Sequence, residues 1–537
     1  MLILEAGNIK KYFSDRLIVE LDGLKIYSGD KIGVVGQNGA GKTTLMNILS
    51  KEIQPDEGFV KLYCEAAYIR QFSQEKIDSD KKLQKEFELS RILNQDVFSG
   101  GESTRIRISN ALNRNSLMLF ADEPTANLDY KGIELLREKL QKTETFLLIS
   151  HDRGLLDDLC NKILEIRDGK VRLYSGNYSL YREQTDNEFR HAGQEYEKYV
   201  AERTKLEEAV RERQSKAKSI RKAPARMGNS EARLHRRSST EKQEKINNAV
   251  NSLKTRLDKL EVKEKPKELP SIKLDFSLTN PPENKIVISA KSLSFSYGSK
   301  DIFRNTGFKI YNGSKTAIWG ENGTGKTTLL NLIASRDDSI YIVPKAVTGH
   351  FHQSFENLNL NRTVLENVME DSVQTQSAAR TILARLLISG DDVYKKAGVL
   401  SGGERIKVSF AKLFVSNANV LILDEPTNYL DMTSIEALEN VLRDYEGTVL
   451  FVSHDKAFVN GVADRLLAIE DKELREFEGS LKDYISGRQN AQEAVLNDTE
   501  RTLLQMRITE TIAKMSKSNA DKEALEAEYQ ALVKQLK

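Results

Sequence analysis

The chain has 537 residues, of which 30% are charged and 39% hydrophobic, and its formal net charge is +2; this length allows two to four domains, each with its own core. No apolar run approaches the ~20 residues of a membrane-spanning helix, and the N-terminus lacks the regions of a secretory signal, so we expect a cytoplasmic protein. The two cysteines, Cys64 and Cys160, lack CxxC spacing, which argues against a disulfide framework, a zinc site and an iron–sulfur cluster.

Residues 4–36 and 288–320 align without a gap, which indicates an internal duplication. Each copy continues into a glycine-rich loop, GQNGAGKTT or GENGTGKTT, between an apolar strand and a helical pattern. In this context glycines let backbone N–H groups approach phosphates, and the lysine reaches the outer phosphates. The predicted nucleotide-binding residues are Gly36, Asn38, Gly39, Gly41, Lys42, Thr43 and Thr44 in the first copy, and Gly320, Asn322, Gly323, Gly325, Lys326, Thr327 and Thr328 in the second.

In each copy an apolar strand later ends in two acidic residues, as LMLFADEPTANLD and VLILDEPTNYLD. The first acid suits binding of Mg²⁺ together with the first threonine of the loop, and the second suits a general base or a water-orienting group. A Ser-His-Asp sequence follows at another strand end, and its duplication favours a γ-phosphate contact for the histidine over a structural role. The Mg²⁺ candidates are Thr43, Asp122, Thr327 and Asp424, and the catalytic candidates are Glu123, Glu425, His151 and His454.

Between the glycine loop and the acidic strand lies a Ser-Gly-Gly-Glu turn that opens a helix, as FSGGE and LSGGE. Such a turn can bind an anion, and one nucleotide does not need two such turns from one domain, which favours contacts between the copies. The residues of these turns are Ser99, Gly100, Gly101 and Glu102 in the first copy, and Ser401, Gly402, Gly403 and Glu404 in the second.

The order of these motifs, present twice, resembles the ATP-binding cassette superfamily. The resemblance implies an α/β fold with two P-loop cassettes in a head-to-tail sandwich, where the signature turn of one cassette completes the ATP site of the other. It also implies a Q-loop glutamine that contacts nucleotide and Mg²⁺ at Gln71 and Gln353. The family stacks an aromatic ring on adenine where this chain has Phe13 and Tyr297, although either ring could instead be an ordinary core residue.

Residues 211–240, between the copies, carry ten Lys or Arg residues against two acidic residues. Residues 186–210 and 241–262, on either side of this stretch, carry apolar residues at 3–4 spacing, the first set beginning with Phe189 and Ala192. Ala-Pro-Ala and Met-Gly-Asn interrupt the stretch itself, which predicts an α-helical hairpin with an apolar seam and a basic tip. Concentrated charge suits RNA phosphates, whereas a brace along the cassettes would explain only the seam. The RNA-binding candidates are Lys216, Lys218, Arg221, Lys222, Arg226, Arg233, Arg236 and Arg237, and the apolar tip candidates, which could also pack within the turn, are Met227 and Leu234.

The predicted domains are a first cassette (1–185), a helical linker (186–265), a second cassette (266–487) and a C-terminal helical hairpin (488–537). Tandem cassettes with this linker resemble the ABC-F family of translation-associated ATPases, and most resemble its antibiotic-resistance branch of the Vga and Lsa type. The family implies a monomer that binds the ribosomal exit-tRNA site beside large-subunit rRNA and P-site tRNA. The branch implies protection of the peptidyl-transferase centre from lincosamides, pleuromutilins and streptogramin A compounds.

Two alternatives stay open: a housekeeping translation factor of the same family, and a tandem ATPase subunit of a membrane transporter. Ser99 follows Gln71 by 28 positions, against 48 from Gln353 to Ser401, which leaves the first cassette little room for the subdomain that receives a transporter's coupling helices. An ABC-E recycling ATPase would need an N-terminal cysteine cluster. Phe98 stands in the first signature turn where the superfamily usually has leucine, and the residues after DEPT read ANLD in the first copy but NYLD in the second. These departures suggest that the two ATP sites differ.

Overall fold

The computed structural model describes residues 1–71, 76–87, 89, 98, 100–219, 229–263, 275–298, 300–351, 358–488 and 506–512, with the backbone alone at 217–219 and 229–243. The chain divides into two compact units. One unit contains both cassettes (Met1–Cys160, Leu164–Leu173 and Pro270–Lys537), and the other contains the helical linker (Asn161–Ile163 and Tyr174–Leu269).

The described part of the first cassette is built around one mixed sheet. Its strands are β1 (Leu2–Phe13), β2 (Arg16–Tyr27), β3 (Lys31–Gly36), β4 (Glu57–Leu62), β5 (Ala66–Ile69), β6 (Met118–Asp122), β7 (Phe146–Ile149), β8 (Lys162–Arg167) and β9 (Lys170–Ser175). Its helices are α1 (Lys42–Leu49), α2 (Lys81–Glu86), α3 (Gly100–Asn113), α4 (Tyr130–Lys142) and α5 (Arg153–Leu159). The strand order is β4-β1-β2-β9-β8-β3-β7-β6-β5.

Two kinds of strand make up this sheet. Strands β3, β7, β6 and β5 are parallel, and every residue of β6 and β7 is buried, as expected for strands covered on both faces. Strands β1, β2 and β4 are antiparallel. The parallel strands all end at one edge of the sheet, where the glycine loop follows β3, the acidic pair closes β6 and the Ser-His-Asp sequence follows β7.

The linker consists of two helices that pack against each other, α6 (Tyr178–Ser219) and α7 (Asn229–Asp258). Helix α6 begins before residue 186, where the predicted linker starts. Lys263 Nζ lies 3.6 Å from a carboxylate oxygen of Glu195, so the end of the hairpin lies opposite that residue. Phe189 and Ala192 precede this point and are exposed, because α7 does not extend far enough to cover them.

The apolar seam between α6 and α7 follows the predicted spacing from Tyr196 onward. Its less exposed positions are Tyr196, Tyr199, Leu206, Val210, Ile246, Val250, Leu253, Leu257 and Leu260. Although α6 has 42 residues, neither it nor any other helix in the described ranges combines the length and the apolar character needed to cross a membrane.

The second cassette repeats the plan with two sheets in its described part. Its strands are β10 (Ile286–Tyr297), β11 (Lys300–Tyr311), β12 (Lys315–Trp319), β13 (Tyr341–Ile342), β14 (Thr348–Phe351), β15 (Val420–Asp424), β16 (Thr448–Val452), β17 (Arg465–Glu470) and β18 (Glu473–Glu478). Its helices are α8 (Lys326–Ala334), α9 (Val364–Met369), α10 (Gln376–Arg385), α11 (Gly402–Val415), α12 (Met432–Asp444) and α13 (Lys456–Val462). The strand orders are β11-β10-β13 and β14-β15-β16-β12-β17-β18.

Strands β14, β15, β16, β12 and β17 are parallel, so the functional loops of this cassette also leave one edge of a sheet. The predicted α/β fold with two cassettes and a helical hairpin linker is therefore confirmed. Two short helices follow, at 481–488 and 506–512, and the predicted C-terminal hairpin otherwise lies outside the described residues.

Candidate active sites

Each glycine loop makes a sharp turn into a helix directly after a buried parallel strand. Gly41 and Gly325 are the N-caps of α1 and α8, with φ of 99° and 107°. A Cβ atom at Gly41 would lie 2.9 Å from side-chain carbons of Ile18 and Val19, and one at Gly325 would lie 2.9 Å from Phe303 Cζ. Only glycine fits both the left-handed backbone and the contact with the neighbouring strand.

We expect Gly325→Ala to weaken ATP binding at its site by at least tenfold, because the new Cβ forces either the loop or strand β11 to move. A nucleotide titration of a chain whose other site is disabled by Lys42→Ala would measure this loss. Gly313→Ala is the matched control, since Gly313 also has a positive φ, 72°, but its Cβ would meet only Glu446 O at 3.6 Å. Equal affinities for the two variants would contradict the packing argument.

The loop lysines are held by the loops that they serve. Lys42 Nζ donates to the carbonyl oxygens of Gly36 at 2.8 Å and Gln37 at 3.1 Å. Lys326 Nζ makes the same two contacts one cassette later, with Gly320 at 2.9 Å and Glu321 at 2.8 Å. Burial lowers the pKa of both ammonium groups, and neighbouring carboxylates oppose that shift. Each site therefore contains a buried cation among backbone groups, as a phosphate-binding loop requires.

The oxygen atoms predicted to bind Mg²⁺ lie together in the first cassette. Burial raises the pKa of Asp122 to about 6, and a hydrogen bond with the side chain of Thr43 opposes this shift. Hydroxyl and carboxylate oxygens suit Mg²⁺, which usually completes its octahedron with phosphates and water. With phosphate and water oxygens to complete the coordination, Thr43 and Asp122 would hold Mg²⁺. The described residues contain no group of three or more His, Cys, Asp or Glu side chains that could hold a metal.

The glutamates predicted as bases share a rare backbone conformation. Glu123 and Glu425 both have φ of 48°, a left-handed value that costs energy for a non-glycine residue and is often found at functional sites. Burial raises the pKa of each carboxyl to about 7, the range that suits a general base near neutral pH.

The Oε1 atom of each glutamate is buried and accepts no hydrogen bond from the described residues. His151 Nε2 lies 3.1 Å from Glu123 Oε1, and His454 Nε2 lies 3.4 Å from Glu425 Oε1, but neither contact has hydrogen-bond geometry. Burial lowers the pKa of both histidines to about 4, so the rings are neutral near pH 7. Each pair thus offers an acceptor and a neutral imidazole to a water molecule.

The glycine loop of the first cassette contacts the second cassette. Asn38 N donates to Asp431 Oδ2 at 2.8 Å, and Asn38 Nδ2 donates to Tyr429 O at 2.9 Å. A Cβ at Gly403, in the second signature turn, would lie 3.4 Å from Asn38 Nδ2. Burial raises the pKa of Asp431, but hydrogen bonds from Ser434, Asn38 and Thr433 outweigh it and bring the pKa to about 2. The Lys42 loop therefore faces the signature turn of the other cassette.

Different contacts join the glycine loop of the second cassette to the first cassette. Lys131 Nζ lies 2.8 Å from Glu321 Oε1 in the second glycine loop. Burial lowers the pKa of Lys326, and the charge of Asp129 is among those that oppose this shift; the Asp129 carboxylate also caps α4 by accepting from Gly132 N at 3.0 Å. The Lys326 loop thus faces the first cassette.

The signature turns begin helices in both cassettes. Ser401 Oγ accepts from Glu404 N at 3.4 Å, and the Glu404 side chain accepts from Ser401 N at 2.8 Å, which forms a capping box at the start of α11. Gly402 lies in the first turn of that helix. Gly100, Gly101 and Glu102 form the first turn of α3.

The structure describes some of the remaining predicted site residues. Phe13 and Tyr297 end β1 and β10 and are 53% and 59% exposed, so neither is a core residue. Gln71 is half-buried just after β5, and Lys216 is exposed and 3.0 Å from Glu212 on its own helix. The candidates that lie outside the described residues, or whose side chains do, are Ser99, Gln353, Lys218, Arg221, Lys222, Arg226, Met227, Arg233, Leu234, Arg236 and Arg237.

The sequence analysis did not select Asp129 and Asp431 as site residues. Their position at the end of DEPTxxLD, directly before a helix, is a signal for an N-cap, and both aspartates do cap helices. Both aspartates also lie opposite the glycine loop of the other cassette. No local sequence pattern predicts this second position, because the loop is far away along the chain.

A family model described as ABC transporter matches residues 21–88 and 303–428, and a second model with the same description matches residues 164–247. The chain is 32% identical over 485 residues to the erythromycin resistance ATP-binding protein MsrA of Staphylococcus epidermidis, covering 86% of this chain and 96% of that protein. It is 29% identical to the ribosome protection protein VmlR of Bacillus subtilis, covering 93% of this chain and 92% of that protein.

Further comparisons agree with the cassette architecture. The chain is 30% identical to ABC transporter F family member 5 of Arabidopsis thaliana, covering 89% of this chain and 76% of that protein. The solved structure of an RNase-L inhibitor superposes with a TM-score of 0.60 at 20% identity, covering 90% of this chain and 92% of that one. Two ATP-binding cassettes, a helical linker between them and these relatives show that the chain belongs to the ABC-F family and is an ATPase.

Proposed function

We propose that this protein is a cytoplasmic ribosome protection factor. It binds the exit-tRNA site of the ribosome as a monomer, contacts large-subunit rRNA and P-site tRNA, and directs its linker tip toward the peptidyl-transferase centre. There it relieves inhibition by lincosamides, pleuromutilins and streptogramin A compounds. The observation that carries the proposal is the ten cations of residues 211–240, a stretch that runs from the end of α6 into the start of α7, in a chain that is 29% identical to a named ribosome protection protein.

The ATP sites would control docking. Bound ATP holds each glycine loop against the opposite signature turn, since one phosphate chain then contacts both cassettes. Mg²⁺, when bound, neutralises phosphate charge, and Thr43, Asp122, Thr327 and Asp424 would hold it. Glu123 and Glu425 accept the proton of the attacking water. His151 and His454 contact the γ-phosphate. Hydrolysis removes the bridging group, so the cassettes separate and the protein leaves the ribosome.

The tip would act by shifting rRNA rather than by filling the drug site, because protein that occupied the drug site would also obstruct the substrates of peptide transfer. Under this mechanism the backbone and the cations of the tip make most of the contacts that shift the rRNA. Met227→Ala with Leu234→Ala should therefore keep much of the protection. Complete loss of protection with ribosome binding intact would show instead that the two side chains displace the drug directly.

Drug susceptibility of cells that express the chain tests the proposed function. The panel should contain the three proposed classes and also erythromycin, because one relative is named for resistance to it. We expect a rise in the inhibitory concentration of at least one class, and a loss of that rise with Lys42→Ala and Lys326→Ala together. No protection against any of these drugs would support the alternative, a housekeeping translation factor, which the 30% identity to a plant F family member equally allows.

A further inference from the structure

Four side chains from both cassettes meet beside the second glycine loop, and we call them the aromatic clamp: Tyr130, Glu134, Trp319 and Lys456. The rings of Tyr130 and Trp319 meet edge to face with centroids 6.0 Å apart. Lys456 Nζ lies 4.0 Å from the centroid of the Tyr130 ring and 2.9 Å from Glu134 Oε1. One cation therefore contacts both an aromatic face and a carboxylate of the opposite cassette.

Three members of the clamp are adjacent in sequence to parts of the ATP site that contains Lys326. Trp319 ends β12 and immediately precedes Gly320. Lys456 begins α13, two residues after His454. Tyr130 begins α4, immediately after the aspartate that faces Lys326. The clamp thus joins the glycine loop and the histidine segment of the second cassette to a helix of the first.

The corresponding positions at the other site cannot form this cluster. In the ungapped alignment of residues 4–36 with 288–320, Val35 stands at the position of Trp319. In the DEPTxxLD segments, Met432 follows Asp431, the aspartate that corresponds to Asp129. The counterpart of Lys456 is Arg153, whose guanidinium pairs with Glu439 of the second cassette. The Lys42 site therefore has an ion pair between the cassettes, but the two rings are replaced by aliphatic side chains.

We propose that the aromatic clamp is a positioning device that favours closure of the cassettes at the Lys326 site and leaves closure at the Lys42 site largely unaffected. Its members contact each other across the cassette interface, so their contacts exist only when the cassettes are together. Because Trp319 is joined to the glycine loop by one peptide bond, closure that forms the clamp also fixes the start of that loop. Tyr130, Trp319 and Lys456 are positioning residues in this account, since none of them needs to contact ATP.

The size of the effect follows from the exposure of the charged groups. The side chains of Lys456 and Glu134 are 31% and 32% exposed, so solvent screens their attraction in part. Partly exposed cation–π contacts and ion pairs typically change an equilibrium by roughly two- to fivefold each. We expect a variant that loses both contacts to need about five- to tenfold more nucleotide to close.

The chain contains one tryptophan, Trp319, so intrinsic fluorescence reports on the clamp itself. The full-length protein is titrated with the slowly hydrolysed analogue adenosine 5′-(β,γ-imido)triphosphate, and the midpoint of the change in emission is recorded. Lys456→Met should raise the midpoint about five- to tenfold, and Tyr130→Ala should do so about two- to fivefold. Tyr130→Phe keeps the ring and should stay within about twofold of the unaltered chain.

The same variants are then titrated in chains with one site disabled. With Lys42→Ala, where only the Lys326 site is intact, the shift caused by Lys456→Met should persist, and with Lys326→Ala it should be lost. Unaltered midpoints for both Lys456→Met and Tyr130→Ala would overturn the proposal, as would equal shifts in the two disabled chains. Thermal unfolding without nucleotide identifies a misfolded variant. If Tyr130→Ala fails that test, Lys456→Met decides the outcome.

Discussion

Replacing both Glu123 and Glu425 with glutamine should lower kcat for ATP hydrolysis by roughly 10²–10⁴-fold, the usual contribution of a general base. Glutamine has nearly the same shape but cannot accept the proton of water. The glycine loops, the lysines and the signature turns are untouched, so the affinity for ATP should change by less than about twofold. Phosphate release and nucleotide titration on the same preparation measure the two quantities separately.

Glu57→Gln is the matched control for this double variant. Glu57 lies 3.2 Å from Lys10 on the antiparallel strands of the first cassette, outside both ATP sites, and its replacement should leave kcat unchanged. If the double variant hydrolysed ATP at the rate of this control, neither glutamate could be the base. A loss of ATP binding would instead mean that the carboxylates help to hold the nucleotide.

The second large effect is expected from the basic linker. Six to ten phosphate contacts on duplex DNA lose roughly 10³–10⁵ in affinity between 50 and 200 mM salt, and ribosome binding through residues 211–240 should change in the same direction. Replacing Arg233, Arg236 and Arg237 with glutamine should weaken binding and flatten its salt dependence, because fewer counterions are released. Binding isotherms at several salt concentrations give both values.

A variant with the same change in charge elsewhere separates local contacts from net charge. Lys10, Lys25 and Lys61 lie on the antiparallel strands of the first cassette, and their replacement by glutamine should leave the salt dependence of ribosome binding nearly unchanged. Equal effects of the two triple variants would indicate long-range attraction alone. A complex that ignores both salt and the arginine substitutions would favour a linker that only braces the cassettes.

Local sequence was sufficient to place the glycine loops and the acidic pairs at the ends of strands, because the position of each depends on residues within one strand and the turn that follows it. Asn38 and Asp431, by contrast, are separated by 393 positions, and no local pattern predicts their hydrogen bond. The aromatic clamp is similar, since Tyr130 and Trp319 each read as ordinary apolar residues in their own segments.

The DEPT motif also did not predict the backbone conformation of its glutamate. The pair Asp-Glu predicts carboxylates at a strand end, but the left-handed φ of Glu123 and Glu425 depends on the packing of the whole sheet edge. In the linker, 3–4 spacing predicted the seam correctly from Tyr196 onward. It failed at Phe189 and Ala192 because periodicity indicates a face of a helix, whereas the partner's length decides how much of that face is covered.

Co-sedimentation of the Glu123→Gln, Glu425→Gln protein with purified ribosomes, in ATP and in ADP, tests the central claim most directly. The account predicts that the protein pellets with ribosomes in ATP, at about one copy per ribosome, and stays in the supernatant in ADP, because only ATP bridges the two cassettes. Equal pelleting in the two nucleotides, or none in either, would contradict it.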